Sequence, residues 1–466
     1  VFSVVGGGAM HLNDALGHHD RLKVTYNHHE QACAIAAEAY ARINNKIAAV
    51  CVTTGPGGTN AITGVLGGWL DSVPMLIISG QVRYDTTRRG MGVQVRAGGD
   101  QEFDITAAVK CMTKYCEMIE DPTRIRYALE RALYLATHGR PGPCWIDIPV
   151  DFQGRLIETD SLVGYDPSED SEALPPRVSD RDIDAVIERI KNSRRPVLYA
   201  GNGIRLSGGF EAFESVVESL NIPVVTGWNS IDAIPDAHRL YVGRGGIMGD
   251  RAGNFAVQNA DLVLAVGNRL SIRQVGYNWK TWAKGAFVVM VDADSEELKK
   301  PTLHVDMPIH ADAKDFLERL EARLSPDAPL FPESEWHAIC LGWKRDYPVV
   351  QSKHTEWQGL ANPYAFIKAL SAKLPEGSVT VVGNGSACVV GSQAYEIKRG
   401  QRFIVNSGVA SMGYGLPAAI GASVARDGSE VICITGDGSI QMNLQELQTI
   451  LTNNLPIKIF VIKNAH

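Results

Sequence analysis

The sequence predicts an α/β protein built from three doubly wound domains with parallel sheets. Continuous apolar strands alternate with helical segments, a pattern typical of parallel sheets covered on both faces. Two polar stretches that contain proline interrupt this pattern, at 156–180 and 320–362. They divide the 466 residues into predicted domains at 1–155, 180–325 and 360–466.

Within each predicted domain the strands follow from short apolar runs that end in glycine or another turn residue. The first domain opens on a strand and a glycine turn, and further strands are expected at 22–26, 47–54, 74–80 and 143–150, with an Ala-rich helix at 29–43. The second domain has expected strands at 195–203, 223–230, 260–269 and 286–294. The third has expected strands at 378–386, 401–408, 430–439 and 457–464.

Composition and charge exclude several classes of protein. A net charge of -7 does not suit a general nucleic-acid binder. No apolar run reaches membrane-spanning length, and no signal peptide precedes the first strand. Eight cysteines without regular spacing indicate reduced thiols rather than a disulfide framework. We therefore predict a cytoplasmic enzyme that acts on a small molecule.

Two strands of the third domain end in polar residues that could bind a metal. The strand at 430–439 ends in Gly-Asp-Gly-Ser at 436–439, and the strand at 457–464 ends in Asn464. A right-handed crossover makes these strands parallel and brings their carboxyl ends to one edge. Asp437, Asn464 and a nearby backbone carbonyl would supply the oxygen ligands that Mg²⁺ or Ca²⁺ prefers, and the metal would also bind diphosphate oxygens.

The alternative interpretation is that Gly-Asp-Gly is an ordinary turn that connects a strand to a helix. The helix itself is expected because Leu444, Leu447 and Leu451 recur at helical spacing. Two observations favour the metal and diphosphate site over an ordinary turn. The glycines let a phosphate approach the backbone, and the second strand ends in Asn464.

The chain resembles the acetohydroxyacid synthases and their relatives, which depend on thiamine diphosphate. Six segments carry the resemblance, namely HEQACAIAAEAYAR, TTGPGGTN, LDSVPMLIISGQV, HGRPGPCWIDIPVDFQ, SMGYGLPAAIGA and GDGSIQMNLQELQTI. They run through the whole chain in order. The resemblance implies the thiamine-diphosphate-binding fold, with a first domain that binds the pyrimidine and a last domain that is incomplete.

The resemblance also implies a set of cofactor ligands. Mg²⁺ would be held by Asp437, Asn464 and the backbone carbonyl of His466. Met412 would wedge between the two cofactor rings, and the backbone carbonyl of Ala410 would accept from the 4′-amino group. The remaining implied cofactor-binding residues are Gly55, Pro56, Gly383, Asn384, Gly385, Ser386, Gly436, Gly438 and Ser439.

Two residues are implied to be catalytic. Glu30 would bond N1′ of the aminopyrimidine and promote loss of the C2 proton, which needs a carboxyl group in a mostly apolar pocket. A carboxylate that merely favours a helix N-terminus is the alternative. Gln101 would lie near the reacting carbon, and an ordinary surface residue is the alternative there.

Several departures from the family pattern leave the acceptor substrate open. Asp100 replaces an aromatic residue, Ser386 and Ala387 replace Gln-His, and Lys463 replaces the first Asn of an Asn-Asn pair. The segment that precedes Gln101 is longer than usual.

The central domain could bind FAD in a structural role, as the resemblance implies. The glycine-rich segments that stand where flavin-contacting loops lie in the family are 200–203, 246–250, 267–273 and 291–294. Glycine turns at strand ends occur in any doubly wound domain, so each segment is a weak signal.

The function that the resemblance implies is a thiamine-diphosphate-dependent transferase of the EC 2.2.1 type. It would decarboxylate pyruvate or a similar 2-oxo acid and add the two-carbon unit to a carbonyl acceptor. The alternatives are a 2-oxo acid decarboxylase, a sulfoacetaldehyde-type acetyltransferase, a relative that branches keto-sugars, and a binding homologue without catalysis. A homodimer or homotetramer is expected, with active sites shared between subunits. The Ala-rich segment 32–41 and the TGPGGTN turn at 54–60 are the candidates for the centre of the interface.

Overall fold

Three sheets of parallel strands form the framework of the protein and confirm the predicted fold class. The structure is a computed structural model that describes residues 1–325, 328–356, 358 and 360–464. In this part of the chain, two sheets have six strands and the third has four.

The first sheet has the strand order β2-β1-β3-β4-β6-β5. Its strands are β1 Phe2–Ser3, β2 Thr25–Tyr26, β3 Ala48–Val52, β4 Met75–Gln81, β5 Tyr115–Met118 and β6 Pro143–Pro149. The accompanying helices are α1 Met10–His18, α2 Glu30–Asn44, α3 Pro56–Leu70, α4 Arg88–Met91, α5 Ile105–Val109, α6 Ile125–Thr137 and α7 Val150–Gln153.

The central sheet has the order β12-β11-β10-β7-β8-β9. Its strands are β7 Pro196–Ala200, β8 Val224–Thr226, β9 Tyr241–Arg244, β10 Leu262–Val266, β11 Phe287–Asp292 and β12 Met307–His310. The helices in this region are α8 Asp180–Lys191, α9 Gly203–Leu206, α10 Phe210–Leu220, α11 Arg251–Asn259, α12 Ile272–Val275, α13 Ala313–Glu321, α14 Glu335–Asp346 and α15 Ser352–Thr355.

The third sheet has the order β14-β13-β15-β16. Its strands are β13 Val379–Val382, β14 Arg402–Ile404, β15 Val431–Gly436 and β16 Ile457–Ile462. The helices are α16 Pro363–Lys373, α17 Ser386–Ala394, α18 Gly415–Ala425, α19 Asp437–Gln441 and α20 Glu446–Thr452.

The chain divides into two compact units. The first comprises 1–173, 379–385 and 404–466, and the second comprises 174–378 and 386–403. The first unit therefore combines the first sheet with most of the third sheet. The predicted boundaries of three separate domains stay predictions.

The core of the first unit is built around α2. Its alanines pack against α3 on one side and against α18 on the other, where small residues allow close approach. A Cβ at Gly64 of α3 would lie 2.5 Å from the Ala34 side chain, and one at Gly421 of α18 would lie 2.0 Å from the Ala36 carbonyl oxygen. The Ala-rich segment 32–41, predicted as the centre of a subunit interface, is thus buried within the chain itself, and that part of the prediction is wrong.

The core of the second unit lies on both faces of the central sheet. One face is covered by α8, α10 and α13, whose buried aromatic residues Phe213 and Phe316 pack against the strands. The other face is covered by α11 and α14, which contribute Ala256 and Trp336. Helix α14 begins inside a stretch that the sequence predicts to be a domain boundary, because its polar composition hides the apolar stripe.

Two further observations bear on the sequence predictions. The structure gives all eight cysteines as free thiols. None of the helices in the ranges given above is both long and apolar enough to cross a bilayer. The cytoplasmic location stays a prediction.

Candidate active site

Asp437 and Asn464 lie at the same edge of the third sheet. Strands β15 and β16 are parallel, and Gly436 pairs with Ile462 at their carboxyl ends. Asp437 is the next residue after the first strand, and Asn464 lies two residues after the second. The predicted juxtaposition of these two side chains at one edge agrees with this register. His466, the third predicted ligand, lies outside the described residues.

The donor set at this edge fits a hard divalent cation. A carboxylate and an amide oxygen are ligands typical of Mg²⁺. The Asp437 carboxylate already accepts a 2.9 Å bond from the Gly438 backbone N–H, which orients it within the turn. Among the described residues no group of three His, Cys, Asp or Glu side chains could hold a metal, so a site here would combine the Asp437 carboxylate with amide and carbonyl oxygens.

At this edge Gly385 and Gly436 have open space beside the backbone, whereas Gly383 packs closely against Thr435. A Cβ at Gly383 would lie 2.8 Å from Thr435 Oγ1, and Gly385 has φ +70 with open space around it. Thr435 Oγ1 is buried and has no hydrogen-bond partner in the described part of the chain. A buried hydroxyl without a partner beside an open glycine edge suits a ligand that brings acceptor oxygens, such as a diphosphate.

The loop that carries Ala410 and Met412 lies against the same edge. Ala410 has a left-handed backbone, with φ +55, and its carbonyl accepts a hydrogen bond from the Asn384 side chain. Met412 is 44% exposed, and its methyl group would lie 3.5 Å from a Cβ at Gly438. The Gly413 N–H donates to Ser439 Oγ over 2.9 Å. The structure thus brings together five residues that were predicted to bind the cofactor, namely Asn384, Ala410, Met412, Gly438 and Ser439.

Glu30 is the first residue of α2. The His29 side chain caps this helix by accepting from the Gln31 N–H. The Glu30 carboxylate accepts a 3.0 Å bond from Asn60 on α3. After Gln31, the residues of α2 from Ala32 to Ala37 are fully buried. Burial, together with the nearby carboxylates of Glu446 and Glu30, raises the pKa of the Cys33 thiol well above its usual range. Asn60 gives Glu30 a polar partner, and the apolar pocket expected around its carboxyl group stays a prediction.

Hydrogen bonds connect the surroundings of Glu30 to the third sheet within one chain. Asn443 donates to Gln31 over 3.0 Å and to the Gly413 carbonyl over 2.8 Å. The buried carboxylate of Glu446 accepts from the Asn27 side chain and from the His28 N–H. The two halves of the predicted site therefore meet in this chain through the residues that flank Glu30 and Met412.

A buried ion cluster fixes both ends of the loop at 407–414, which carries Ala410 and Met412. Arg42 Nη2 lies 2.5 Å from Glu38 Oε1 and 2.6 Å from Asp71 Oδ2. The Tyr414 hydroxyl donates to Glu38 over 2.7 Å, and Asp71 accepts from the N–H groups of residues 407 and 408. Burial, reinforced by the adjacent Glu38 carboxylate, raises the pKa of the Tyr414 hydroxyl. The cluster anchors both ends of the loop that holds Met412.

The structure also brings Gly55 and Gln101 together. Gly55 has φ +59, and a Cβ there would lie 2.7 Å from the Gln101 carbonyl oxygen. Pro56 takes the first helical position of α3, which suits its fixed φ and missing N–H. Gln101 is exposed and also left-handed, with φ +62. A backbone held in this unfavourable region by its neighbours is common at functional sites.

Three site residues do not follow from the sequence reasoning, namely Gln31, Asn60 and Asn443. Asn60 bonds the predicted Glu30. Asn443 bonds Gln31, which is next to Glu30, and the Gly413 carbonyl, which is next to Met412. Asn60 ends the Gly-Pro-Gly-Gly-Thr-Asn segment and Asn443 follows the Gly-Asp-Gly-Ser turn by four residues. Their positions inside these motifs are the signal that could have identified them.

Comparisons with known proteins agree with this geometry. Three family models match in order: the N-terminal TPP binding domain of thiamine pyrophosphate enzymes at residues 1–108, the central domain at 183–320 and the C-terminal TPP binding domain at 383–466. The chain is 35% identical to acetolactate synthase 1, chloroplastic, of Zea mays over the whole chain and 71% of that protein. It is 31% identical to acetolactate synthase isozyme 3 large subunit of Escherichia coli, covering 79% of it, and 32% identical to the acetolactate synthase large subunit of Corynebacterium glutamicum, covering 72% of it.

Proposed function

Since this chain belongs to the thiamine pyrophosphate enzymes and is acetolactate synthase-like, we propose that it decarboxylates pyruvate or a similar 2-oxo acid and transfers the two-carbon unit to a carbonyl acceptor. The observation that carries the proposal is the pairing of Gly436 with Ile462, which sets Asp437 and Asn464 at one sheet edge. This edge lies beside Met412, and Asn443 links its loop to Gln31, the neighbour of Glu30.

The roles of the chain's own residues follow from that arrangement. Asp437 and Asn464 would hold Mg²⁺, with a backbone carbonyl after β16 as a further ligand. Gly385 and Gly436 leave space for the diphosphate, and Thr435 supplies a buried hydroxyl that has no other partner among the described residues. Thiamine diphosphate, when bound, supplies a thiazolium carbon that accepts the electrons left as CO₂ departs. The protein supplies position and proton transfer.

Glu30 would hold the proton at N1′ of the aminopyrimidine. At the start of α2 its carboxylate accepts from Asn60, which fixes the carboxyl group where that proton would be held. Gln101, held against Gly55, would face the substrate. The departures at Asp100, Ser386, Ala387 and Lys463 leave the acceptor to be found by offering the enzyme a panel of aldehydes and 2-oxo acids.

Removal of the metal ligand tests the proposal. We expect Asp437→Ala to lose measurable binding of thiamine diphosphate in the presence of Mg²⁺ by titration calorimetry, because the diphosphate then lacks its bridging cation. Glu430→Ala is the matched control, since Glu430 is a half-exposed acid that precedes the same strand and pairs with Lys458 at 2.6 Å. Equal cofactor affinity in wild type and Asp437→Ala would overturn the assignment.

We extend the proposal to FAD in the central domain, in a structural role. The support is Asn268, whose buried amide nitrogen has no hydrogen-bond partner within the described ranges and which follows β10 at the carboxyl edge of the central sheet. The glycines there pack on one another, since a Cβ at Gly201 would lie 2.1 Å from the Gly267 carbonyl oxygen, so they are not themselves support. Absorbance near 450 nm in the purified protein, and its absence in Asn268→Leu, would bear this out.

We also propose a homodimer or homotetramer with Mg²⁺ and thiamine diphosphate in sites shared between subunits, as the family resemblance implies. Within a single chain the first and third sheets already meet, so a site inside one chain is the competing arrangement. Mixing chains that carry Glu30→Gln with chains that carry Asp437→Ala separates the two arrangements.

A further inference from the structure

A network of buried polar side chains crosses the carboxyl end of the first sheet. Ser79, Gln81 and Asp147 are each no more than 1% exposed. Ser79 and Asp147 are direct cross-strand partners on β4 and β6, and Gln81, two residues after Ser79, lies on the same face because side chains alternate along a strand. The predicted active site does not use any of the three.

The Asp147 carboxylate joins the network through both oxygens. Ser79 Oγ donates to one of them over 2.6 Å, and Trp145 Nε1 in turn donates to Ser79 Oγ over 2.8 Å. Gln81 Nε2 donates to the other oxygen over 2.9 Å. Both partners of the carboxylate are therefore neutral side chains.

Gln81 carries the network to two loops. Its Nε2 also donates to the Phe103 carbonyl over 2.9 Å, which lies in the Gln101 loop, defined here as residues 98–103. Its Oε1 accepts from Thr54 Oγ1 over 2.7 Å, and Thr54 directly precedes Gly55. Because Gly55 lies against the Gln101 carbonyl, Gln81 holds the two segments that touch each other at the predicted site.

A purely stabilising role does not explain this choice of residues. A buried carboxylate bonded only to neutral groups has a large desolvation cost, and apolar side chains of similar volume would stabilise a sheet interior better. What the carboxylate provides is a fixed acceptor that leaves Gln81 one orientation, with its amide oxygen turned toward Thr54. Polar networks of this kind specify a single arrangement.

We propose that Asp147 is a positioning residue, which acts through Gln81 to hold the Gln101 loop and the Thr54–Pro56 turn together beside the substrate. The proposal rests on the proposed function through the role of Gln101. Asp147 needs only to accept from Gln81, so an asparagine with its amide oxygen toward Gln81 and its amide nitrogen toward Ser79 Oγ can replace it.

The test compares four variants of the whole protein. Gln81→Met keeps the length of the side chain and removes its hydrogen bonds, Asp147→Ala removes the acceptor, and Asp147→Asn keeps it. Ser79→Ala is the matched control, since it removes two buried bonds on the same strand without touching Gln81. The readouts are kcat and KM with pyruvate, affinity for thiamine diphosphate, and hydrogen–deuterium exchange of peptides covering 98–104.

In Gln81→Met and Asp147→Ala we expect kcat to fall about 10- to 100-fold, which is the loss of rate expected when a reacting group is misplaced by about 1 Å. Hydrogen–deuterium exchange of residues 98–104 should rise in both variants. Cofactor affinity should stay within about twofold, and Asp147→Asn and Ser79→Ala should keep kcat and exchange near wild type. Should Asp147→Ala not fold, Gln81→Met decides alone.

Wild-type kcat and exchange in Gln81→Met would overturn the inference, and so would an equal loss in Ser79→Ala, which would indicate general loosening of the sheet. A wild-type protein that releases no CO₂ from pyruvate would instead refute the proposed function. The exchange measurement would still decide whether Asp147 and Gln81 hold the loop.

Discussion

At the scale of single residues, the proposed role of Glu30 can be tested separately from cofactor binding. Its carboxylate accepts from Asn60, and buried residues of α2 follow it. We expect Glu30→Gln to bind thiamine diphosphate with nearly wild-type affinity but to slow exchange of the C2 proton at least about 100-fold, because general acid–base groups contribute about 10²–10⁴-fold. Proton NMR of the bound cofactor after a pulse of D₂O measures this rate.

The contrast with Asp437→Ala provides the control. That variant should lose binding, whereas Glu30→Gln should keep binding and lose exchange. Exchange at the wild-type rate in Glu30→Gln would show that another group handles the proton at N1′.

Asp147 makes a separate prediction about stability and pH. Burial raises its pKa from 3.8 to about 7, with bonds from Ser79 and Gln81 opposing the shift and the Asp104 and Arg89 charges contributing less. Between these values the folded protein keeps a proton on Asp147 that the unfolded chain has released, so the free energy of unfolding falls as pH rises from about 4 to about 7. The whole effect is roughly 4 kcal/mol at most.

Asp147→Asn removes this titration and serves as the reference. We expect Asp147→Asn to be more stable than wild type by a larger margin at pH 8 than at pH 5, because Asp147 of the folded wild-type protein is neutral at pH 5 and ionised at pH 8. Urea unfolding of both proteins at pH 5 and pH 8 measures the difference. A difference that does not change with pH would mean that Asp147 is ionised in the folded state throughout.

The site residues that the sequence predicts are those tied to the backbone pattern. Asp437 and Asn464 follow from where strands end, and Glu30 follows from a motif at a helix start. Asn60 and Asn443 were missed because their importance lies in which side chains they meet, and a hydrogen bond between residues 31 and 443 has no local signature in the sequence.

At the scale of elements, the crossing of α2 and α18 is set by Gly421. A Cβ there would lie 2.0 Å from the Ala36 carbonyl oxygen, and a backbone atom cannot move aside as a flexible side chain can. We expect Gly421→Ala to lower the free energy of unfolding by about 3 kcal/mol or more, measured by urea denaturation.

The matched control is another helical glycine of the same unit. A Cβ at Gly17 in α1 would lie 3.5 Å from the Tyr26 hydroxyl, an ordinary contact. Gly17→Ala should therefore be neutral or stabilise by up to about 1 kcal/mol. Equal stability of the two variants would show that α2 and α18 do not approach each other as closely as described.

Helix α20 shows where periodicity misleads. Leu444, Leu447 and Leu451 predict a helix, and α20 does form over Glu446–Thr452, but these leucines are 40%, 40% and 68% exposed. The buried face carries Glu446 and Thr449 instead, because Asn27 and His28 bind the Glu446 carboxylate. Tertiary hydrogen bonds thus decide which face is buried.

Three short edge strands were not predicted from the sequence. Strands β5, β9 and β12 have four residues each and lack a long apolar run.

At the scale of the whole molecule, the sequence predicts three α/β domains, each with its own parallel sheet. It does not predict which of these sheets pack together in one compact unit. The first sheet and most of the third belong to one compact unit. That grouping depends on buried contacts such as the Tyr414 hydroxyl on Glu38, which connect positions far apart in the chain. Whether the same contacts form within a chain or between two chains decides where a complete active site lies.

Mixing two inactive variants distinguishes these arrangements. Glu30→Gln chains keep Asp437, and Asp437→Ala chains keep Glu30. If a site takes Glu30 from one subunit and Asp437 from the other, each mixed dimer has one intact site, and random exchange in an equal mixture should restore about a quarter of wild-type activity. We expect this recovery after co-refolding or co-expression, measured as CO₂ release from pyruvate.

A site within one chain gives the opposite result, because every chain in the mixture lacks one of its own two groups. Activity would then stay at the level of the separate variants, and the contacts between Gln31 and Asn443 seen within this chain would define the working site. Mass spectrometry of differently tagged chains confirms that mixed dimers have formed, so that missing activity cannot be due to missing exchange. Recovery near one quarter requires that the first sheet of one subunit faces the third sheet of its partner.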